Sequence, residues 1–260
     1  MRVIGLLGGL SWESTVIYYR LMNQEVSRRL GGLHSAKLLI HNFDFDEIAE
    51  LQAREEWTAI GKCLAHAAAG LQSAGAEIML LGTNTLHYVA PAIQSAIGVP
   101  FLHIVDPTGE ALRGAGIRRA GFLGTRYSME LPFWRNRLLG RFGIEMMTPD
   151  APEREVVHRV IYEELCMGRI EDASRRAYSE IIDQLRDAGA EAVILGCTEI
   201  GLLISARDSS LPVFDTTALH AAAAIDFSLG AQRSDAEDDT SVAFAGGDAN
   251  GRLQDFDNPT

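Results

Sequence analysis

The chain has 260 residues, of which 47% are hydrophobic and 22% are charged, and its formal net charge is -12 at pH 7. This composition is typical of a globular enzyme with two domains of about 100 to 150 residues each. The acidic balance, without clusters of Lys and Arg, argues against nucleic acid or an anionic membrane surface as a partner.

The cellular location is predicted from the cysteines and from targeting patterns. The three cysteines are far apart and have no metal-ligand spacing, so they predict reduced thiols rather than disulfides or a zinc site. We find no secretory leader and no apolar run of the roughly 18 residues that a membrane span needs. These features predict a cytoplasmic protein.

In chain order, strand patterns alternate with amphipathic helix patterns, which predicts parallel sheets joined by crossover helices. One long helix is predicted over residues 14–30, ending at Gly31-Gly32, and a second over residues 170–188. The face of the first helix that is predicted to be buried consists of Val16, Tyr19, Met22, Val26 and Leu30. The predicted strands lie near residues 2–7, 36–41, 77–82, 100–104, 119–124, 143–147, 191–196 and 212–214.

A long internal repeat relates the two halves of the chain. The sequence AGAEIMLLGT at residues 74–83 matches AGAEAVILGC at residues 188–197. A period of this length indicates a duplicated domain rather than a solenoid. We therefore predict an α/β fold of two homologous halves, each a mostly four-stranded parallel sheet flanked by helices, related by pseudo-twofold symmetry with the active site between them. Two shorter pairs keep nearly the same offset: residues 4–9 with 120–125, and 99–101 with 211–213.

The repeat also predicts the domain boundaries. The first half spans residues 1–113 and is joined by part of a C-terminal helix near 215–230, and the second half spans 114–214. Residues 231–260 begin with an acidic run and continue with a Gly-rich segment, which predicts a disordered tail. Its one apolar interruption, at residues 242–244, is an alternative candidate for a short docking strand.

The repeat brings Thr83 and Cys197 to equivalent positions, each directly after a buried apolar strand. Loops at this carboxyl edge of a parallel sheet bind ligands and carry catalytic groups. Small hydroxyl and amide side chains there, next to helix N-termini, are suited to holding a carboxylate. No metal-ligating set is predicted. The candidate substrate-binding residues are Leu10, Gln52, Asn84, Thr85, Thr125, Thr198 and Glu199.

Cys197 is the candidate reactive thiol. Its strand-end position beside Thr198 and Glu199 favours reactivity, and the alternative is a small buried hydrophobe. Four other side chains are predicted to pack or cap rather than to catalyse: Cys63, Cys166, His87 and His220.

Four motifs stand at the ends of predicted strands: GGLSWEST at 8–15, NTLH at 84–87, GTRY at 124–127 and GCTEI at 196–200. They make this sequence similar to the cofactor-independent aspartate/glutamate racemases, and closely similar to the aspartate racemase branch. The likeness runs from about residue 1 to residue 229. It implies an isomerase that acts on L-aspartate and/or L-glutamate as a homodimer, without pyridoxal phosphate, another cofactor or a metal.

The resemblance further implies a mechanism with two thiols on opposite faces of the substrate α-carbon. One thiol removes the α-proton as a thiolate, and the other returns a proton from the far side. Cys197 matches one of them, but Thr83 stands where the other cysteine belongs. A threonine hydroxyl is too weak an acid to be a resting base, although it can relay a proton or hold a water molecule. The resemblance also implies that the second-half cysteine, here Cys197, takes the proton from the L-isomer. We therefore expect one-sided catalysis, with faster α-proton removal from the L-isomer than from the D-isomer.

A second departure concerns the distal carboxylate of the substrate. Related aspartate racemases hold it with an arginine after the second strand and a lysine in the helix after the sixth. In this sequence the segments HNFDFD at 41–46 and YEELCMG at 162–168 supply neither cation. Gln52 is a candidate to hydrogen-bond this end of the substrate, and Arg54 or Arg126 to supply charge.

Several alternatives stay open at this stage. Aspartate and glutamate are not distinguished, and Glu199 either orients the substrate amine or assists Cys197. Two other functions are consistent with one cysteine: a decarboxylase of malonate-type acids, and a racemase-derived binding protein without turnover.

Overall fold

The computed structural model describes residues 1–230, so the predicted tail at 231–260 and its candidate strand at 242–244 lie outside the described residues. The described chain forms two four-stranded parallel sheets. Their strands are β1 (Ile4–Gly8), β2 (Leu38–Asn42), β3 (Ile78–Leu81), β4 (Phe101–Leu102), β5 (Arg119–Gly124), β6 (Glu145–Met147), β7 (Ala192–Gly196) and β8 (Val213–Asp215).

Both sheets have the same topology. The order is β2-β1-β3-β4 in one sheet and β6-β5-β7-β8 in the other. Strands β3 and β7 are buried along their whole length, as the continuous apolar runs in the repeat predict. The predicted fold class is confirmed. In each sheet the strand order reverses beside the first strand, and loops at such a switch point diverge to leave a crevice for a ligand.

Helices connect the strands and cover both sheets. Among residues 1–230, none is long and apolar enough to cross a membrane. One short 3₁₀ helix follows β3 (Thr85–Val89), and a second lies in the connection between β6 and β7 (Leu165–Met167). The α-helices are α1 (Trp12–Leu30), α2 (Phe45–Ala53), α3 (Trp57–Ser73), α4 (Ala90–Ala96), α5 (Val105–Gly114), α6 (Arg126–Glu130), α7 (Pro132–Phe142), α8 (Ala151–Glu163), α9 (Asp172–Asp187), α10 (Ile200–Leu203) and α11 (Thr216–Leu229).

The last helix, α11, packs against the first sheet. Ala224 and Ile225 share a core cluster with Tyr18 and Met22 of α1. The amide of Arg2, just before β1, donates to the carbonyl of Ser228 at 2.8 Å. The chain therefore returns to its starting half after completing the second sheet.

The predicted buried face of α1 is wrong in part. Val16, Tyr19 and Leu30 are 49%, 54% and 45% exposed, although Met22 and Val26 are buried as predicted. The buried face instead includes two polar side chains, Ser14 and Thr15. Both form buried hydrogen bonds, so polar contacts rather than apolar periodicity set the rotation of this helix.

Strand β4 is shorter than predicted. The sequence pattern extends over residues 100–104, but only Phe101 and Leu102 pair with a neighbour. Pro100 has no N–H to donate, and the amide of Ile104 donates to Nε2 of His87 at 3.2 Å. The ends of the other strands differ from prediction by at most two residues.

Candidate active site

A cavity at the carboxyl edges of the two sheets brings all nine predicted site residues together. Its volume is about 30 Å³, which is room for about two water molecules. The roles of these residues stay predictions. The lining residues that were predicted are Leu10, Gln52, Thr83, Asn84, Thr85, Thr125, Cys197, Thr198 and Glu199.

A larger outer cavity of about 510 Å³ adjoins this inner cavity. Three residues line both: Ser11, Phe45 and Cys166. Phe45 is the first residue of α2, and Ser11 directly precedes α1. The two cavities therefore meet at side chains that lie at or beside helix ends.

Cys197 follows β7 and is almost completely buried. Its thiol donates a hydrogen bond to Oε2 of Glu199 at 2.9 Å. Burial raises the pKa of the Cys197 thiol well above its ordinary value, and the Glu199 carboxylate raises it further. The thiol is therefore protonated at rest, and the negative charge beside it opposes formation of the thiolate.

Glu199 lies at the centre of a buried hydrogen-bond network. Its carboxylate is 2% exposed and accepts from Ser14 Oγ at 2.7 Å and from Thr198 Oγ1 at 2.6 Å. Cys166 Sγ contacts its Oε1 at 3.9 Å. All of these donors are neutral, and within residues 1–230 no ion pair reaches this carboxylate. Ser14 comes from α1, so the network joins the two halves.

Thr83 occupies the equivalent position at the end of β3. Its carbonyl accepts a hydrogen bond from Nδ1 of His87 at 2.7 Å. Because Nε2 of the same ring accepts the amide of Ile104, the ring is neutral with its proton on Nδ1. Burial lowers the pKa of His87 well below its ordinary value. His87 therefore holds the Thr83 backbone and does not present a nitrogen to the cavity.

Two polar atoms on the cavity wall have no hydrogen-bond partner among the described residues. They are the hydroxyl of Ser11 and Oδ1 of Asn84. Asn84 uses its Nδ2 to donate to Thr216 Oγ1 at 3.0 Å, which fixes the amide with Oδ1 as the unused acceptor. Ser11 has a φ of 89°, an uncommon conformation for a side chain other than glycine. Two wall residues thus hold one acceptor and one hydroxyl whose hydrogen-bonding capacity is unused within the described chain.

Two further side-chain pairs cross between the halves at the cavity. Thr85 and Thr125 share a hydrogen bond of 2.8 Å between their hydroxyls. Gln52 of α2 donates from Nε2 to the hydroxyl of Tyr162 of α8 at 2.9 Å. Burial raises the pKa of Tyr162, so its phenol is neutral. Both pairs place neutral donors and acceptors on the wall.

Sequence reasoning placed Cys63 and Cys166 in packing roles. The expectation is wrong for Cys63, whereas Cys166 is partly buried and packs against a hydrophobic core cluster, as predicted. Cys63 lies in α3 and is exposed to solvent. Cys166 belongs to a 3₁₀ helix and lines the cavity, with its thiol directed at Glu199. Burial raises the pKa of the Cys166 thiol as well. The site therefore contains a second thiol, although not at the position of Thr83.

The two arginines considered for the distal carboxylate do not line the cavity. Arg54 is exposed and pairs with Glu50 at 3.0 Å. Arg126 is exposed and lies over the ring of Tyr127, 5.5 Å from its centroid. In the part of the chain that the structure describes, no group of three or more His, Cys, Asp or Glu side chains gathers to hold a metal.

Ser11 belongs to the GGLSWEST motif, whose position after the first strand predicts further hydrogen-bond donors for the site. The remaining wall residues were not singled out from the sequence. Phe45, Ile161 and Tyr162 lie in helical segments whose patterns look ordinary. Their position becomes visible only when the halves are packed together.

Comparison with known proteins gives the same result as the motifs. The family model described as Asp/Glu/Hydantoin racemase matches residues 7–224. The solved structure of a Yersinia pestis protein assigned as an Asp/Glu racemase is 52% identical and superposes with a TM-score of 0.83, over 88% of this chain and 100% of that one.

Two more distant relatives agree. The structure of an aspartate racemase homologue from Pyrococcus horikoshii is 33% identical, with a TM-score of 0.76, over 88% of this chain and all of that one. The broad specificity amino-acid racemase RacX of Bacillus subtilis is 26% identical over 159 residues, which are 60% of this chain and 67% of RacX. The family resemblance is confirmed: the chain belongs to the Asp/Glu/hydantoin racemase family.

Proposed function

We propose that the chain is an amino-acid racemase in which Cys197 removes the substrate α-proton without pyridoxal phosphate or a metal. The observation that carries this proposal is the buried Cys197 thiol at the end of β7, in a cavity between the halves and in contact with Glu199. Family membership supports the reaction class. The relatives' names point to aspartate and glutamate, and RacX extends the range to other amino acids.

The neutral polar wall suits the two charged groups of an amino acid. The unused Oδ1 of Asn84 and the Glu199 carboxylate are acceptors for the α-ammonium group. The unused hydroxyl of Ser11 is a donor for the α-carboxylate. Cys197 releases its thiol proton to solvent, and its thiolate then takes the α-proton. The electron pair left on the α-carbon spreads into the carboxylate, where hydrogen-bond donors stabilise it.

Substrate binding also favours the reactive form of Cys197. The Glu199 carboxylate is one cause of the raised pKa of the thiol. An ammonium group beside Glu199 offsets that negative charge, so the pKa of Cys197 falls when the substrate binds. The Cys197 thiolate is therefore favoured when a substrate, with its α-proton, is bound in the cavity.

On the second face of the substrate, the group available for proton transfer is a weaker base than Cys197. Thr83 lines the cavity from the other half, and its hydroxyl can hold a water molecule that returns a proton. Because a hydroxyl is a poor base, removal of the α-proton from the D-isomer is the slow direction. The proposal therefore includes faster exchange from L-isomers than from D-isomers.

A homodimer and a cytoplasmic location belong to the same proposal. Trp12, Val16 and Tyr19 leave an apolar stripe on α1 that is 49 to 62% exposed, and such a patch is typical of a protein interface. All three cysteines are free, which agrees with a reducing compartment. Sedimentation velocity should show twice the mass of one chain, and a monomer at micromolar concentration would contradict the dimer.

The experiment that tests the function is proton NMR in deuterium oxide. We expect the α-proton signal of at least one L-amino acid to disappear, with aspartate and glutamate tried beside their carboxamide counterparts. Cys197→Ala should slow this exchange by about a thousandfold, within the range that general acid-base groups contribute. Cys63→Ala, which removes an exposed thiol outside the cavity, is the matched control and should leave the rate unchanged.

Exchange that survives Cys197→Ala would contradict the assigned base. If no amino acid exchanges its α-proton, the racemase proposal fails. Release of carbon dioxide from a malonate-type acid would then support a single-cysteine decarboxylase, and ligand binding without any turnover would support a binding protein.

A further inference from the structure

The charge of the inner cavity restricts the substrate more narrowly than the family does. Among its lining residues, all within the described part of the chain, there is no Arg, Lys or His. The one ionisable carboxylate on the wall is Glu199, which is 2% exposed. The α-ammonium group of the substrate offsets this charge, but nothing on the wall offsets a second substrate carboxylate.

Three arginines in or beside the helices α2, α8 and α9 are already held in other contacts. Arg54 pairs with Glu50 at 3.0 Å. Arg159 of α8 approaches Glu164 at 3.8 Å and is half exposed. Arg175 donates to the carbonyl of Leu203 and approaches Asp208 at 3.6 Å. A carboxylate in the cavity would therefore lose its water without gaining a cation, which is costly in a buried site.

The part of the wall contributed by α2 and α8 offers a different match. Gln52 and Tyr162 form a hydrogen-bonded pair across the halves, and Gln52 is 3% exposed. An amide and a neutral phenol together offer both donors and acceptors. A carboxamide or hydroxyl group on a substrate also donates and accepts, whereas a carboxylate only accepts. Leu10, Phe45 and Ile161 supply apolar surface to the wall of the same cavity.

We infer that this enzyme acts on amino acids with neutral polar side chains and discriminates against a second carboxylate, with Gln52 and Tyr162 as the residues that determine specificity. The inference rests on the proposed racemase function. It replaces aspartate and glutamate, which the family resemblance implies, with their neutral counterparts.

Two substrate pairs of nearly equal shape test the inference without any variant: glutamine against glutamate, and asparagine against aspartate. The readout is kcat/KM for α-proton exchange in deuterium oxide, measured with the full chain. We expect the better carboxamide to exceed its acid by at least about tenfold, which corresponds to about 1.4 kcal/mol of transition-state stabilisation.

A charge-adding variant sharpens the test. Gln52→Lys places a cation at the proposed subsite and should shift the acid-to-amide ratio of kcat/KM toward the acid by at least about tenfold. Gln94→Lys adds the same charge on an exposed position of α4, away from the cavity, and should leave the ratio unchanged.

The outcomes separate the inference from the function on which it rests. If the acids exchange as fast as the amides in the parent enzyme, the inference is overturned and the racemase remains. If none of these substrates, and no other amino acid, loses its α-proton, the proposed function itself fails.

Discussion

The two halves share a sheet order but end their central strands differently. Strand β3 leads into Thr83 and Asn84, and β7 leads into Cys197, Thr198 and Glu199. In the first half the strand end supplies a hydroxyl and an amide, and in the second it supplies a thiol and a carboxylate. The comparison teaches that duplication fixed where the site lies, while the side chains at two equivalent strand ends divide the chemistry between binding and proton transfer.

The strands that flank the central ones differ as well. His103 follows β4, and Asp215 ends β8 at the equivalent position of the repeat. The rings of His103 and His87 meet edge to face with centroids 4.6 Å apart, and the ring of His220 in α11 lies 5.9 Å from that of His87. Burial lowers the pKa of all three histidines. The first half thus buries a cluster of three neutral histidines. In the second half, the position equivalent to His103 holds Asp215 instead.

This cluster gives the largest expected effect, which is on stability at acid pH. The pKa of His220 is about 4 in the folded chain and about 6.5 when unfolded. Unfolding therefore takes up protons below pH 6.5, and the free energy of unfolding should fall by about 3 kcal/mol from this residue alone as the pH drops to 4. Urea unfolding at several pH values measures this pH dependence of the free energy of unfolding. In His220→Asn the slope should be shallower, and a slope that stays as steep would show that other groups cause the loss.

The next largest effect tests the asymmetry between Thr83 and Cys197. Thr83→Cys restores a thiol at the end of β3 and should raise α-proton exchange from the D-isomer by about a hundredfold. Exchange from the L-isomer should change much less, because Cys197 already serves that face. Proton NMR with both isomers of one substrate gives the ratio. If the variant keeps the parent's ratio of exchange rates from the L- and D-isomers, Thr83 does not explain the asymmetry.

Two equivalent glycines allow the packing of the halves to be compared. A Cβ on Gly196 would lie 2.0 Å from the ring of Phe122, which is fully buried and packs on Trp134. A Cβ on Gly82 would meet its nearest atom, the carbonyl oxygen of Leu7, at 3.2 Å. We expect Gly196→Ala to cost about 2 kcal/mol of stability and Gly82→Ala less than about 1 kcal/mol. Equal losses of unfolding free energy in urea would mean that the two halves accommodate the added methyl group equally well.

Much of this architecture was predictable because duplication leaves a pattern that is local in sequence. The repeat located the ends of β3 and β7, and thereby the loops that line the cavity. Tyr162 and Cys166 carry no such pattern, because they reach the cavity from the end of α8 and the turn after it. Their position depends on how the second half packs against the first.

Helix α1 shows a second limit of sequence reasoning. Apolar periodicity favoured a face with Val16 and Tyr19, yet the structure buries Ser14 and Thr15. Ser14 bonds to Glu199, and Thr15 accepts the amide of Gly9 at 2.7 Å. A helix that supplies polar groups to a site is rotated by those contacts, and hydrophobicity alone does not detect them.

The smallest effect tests what the carboxylate of the second half contributes beyond the thiol. Glu199→Gln removes one cause of the raised pKa of Cys197 while burial still raises it. The thiolate should therefore form at lower pH than in the parent, and KM should rise by about tenfold through loss of a charge-assisted contact to the ammonium group. Iodoacetamide labelling of Cys197 against pH, in a background with Cys63→Ala and Cys166→Ala, separates the two roles. If KM rises and the labelling profile does not move, Glu199 only orients the amine, and the coupling between substrate binding and thiolate formation is lost from the mechanism.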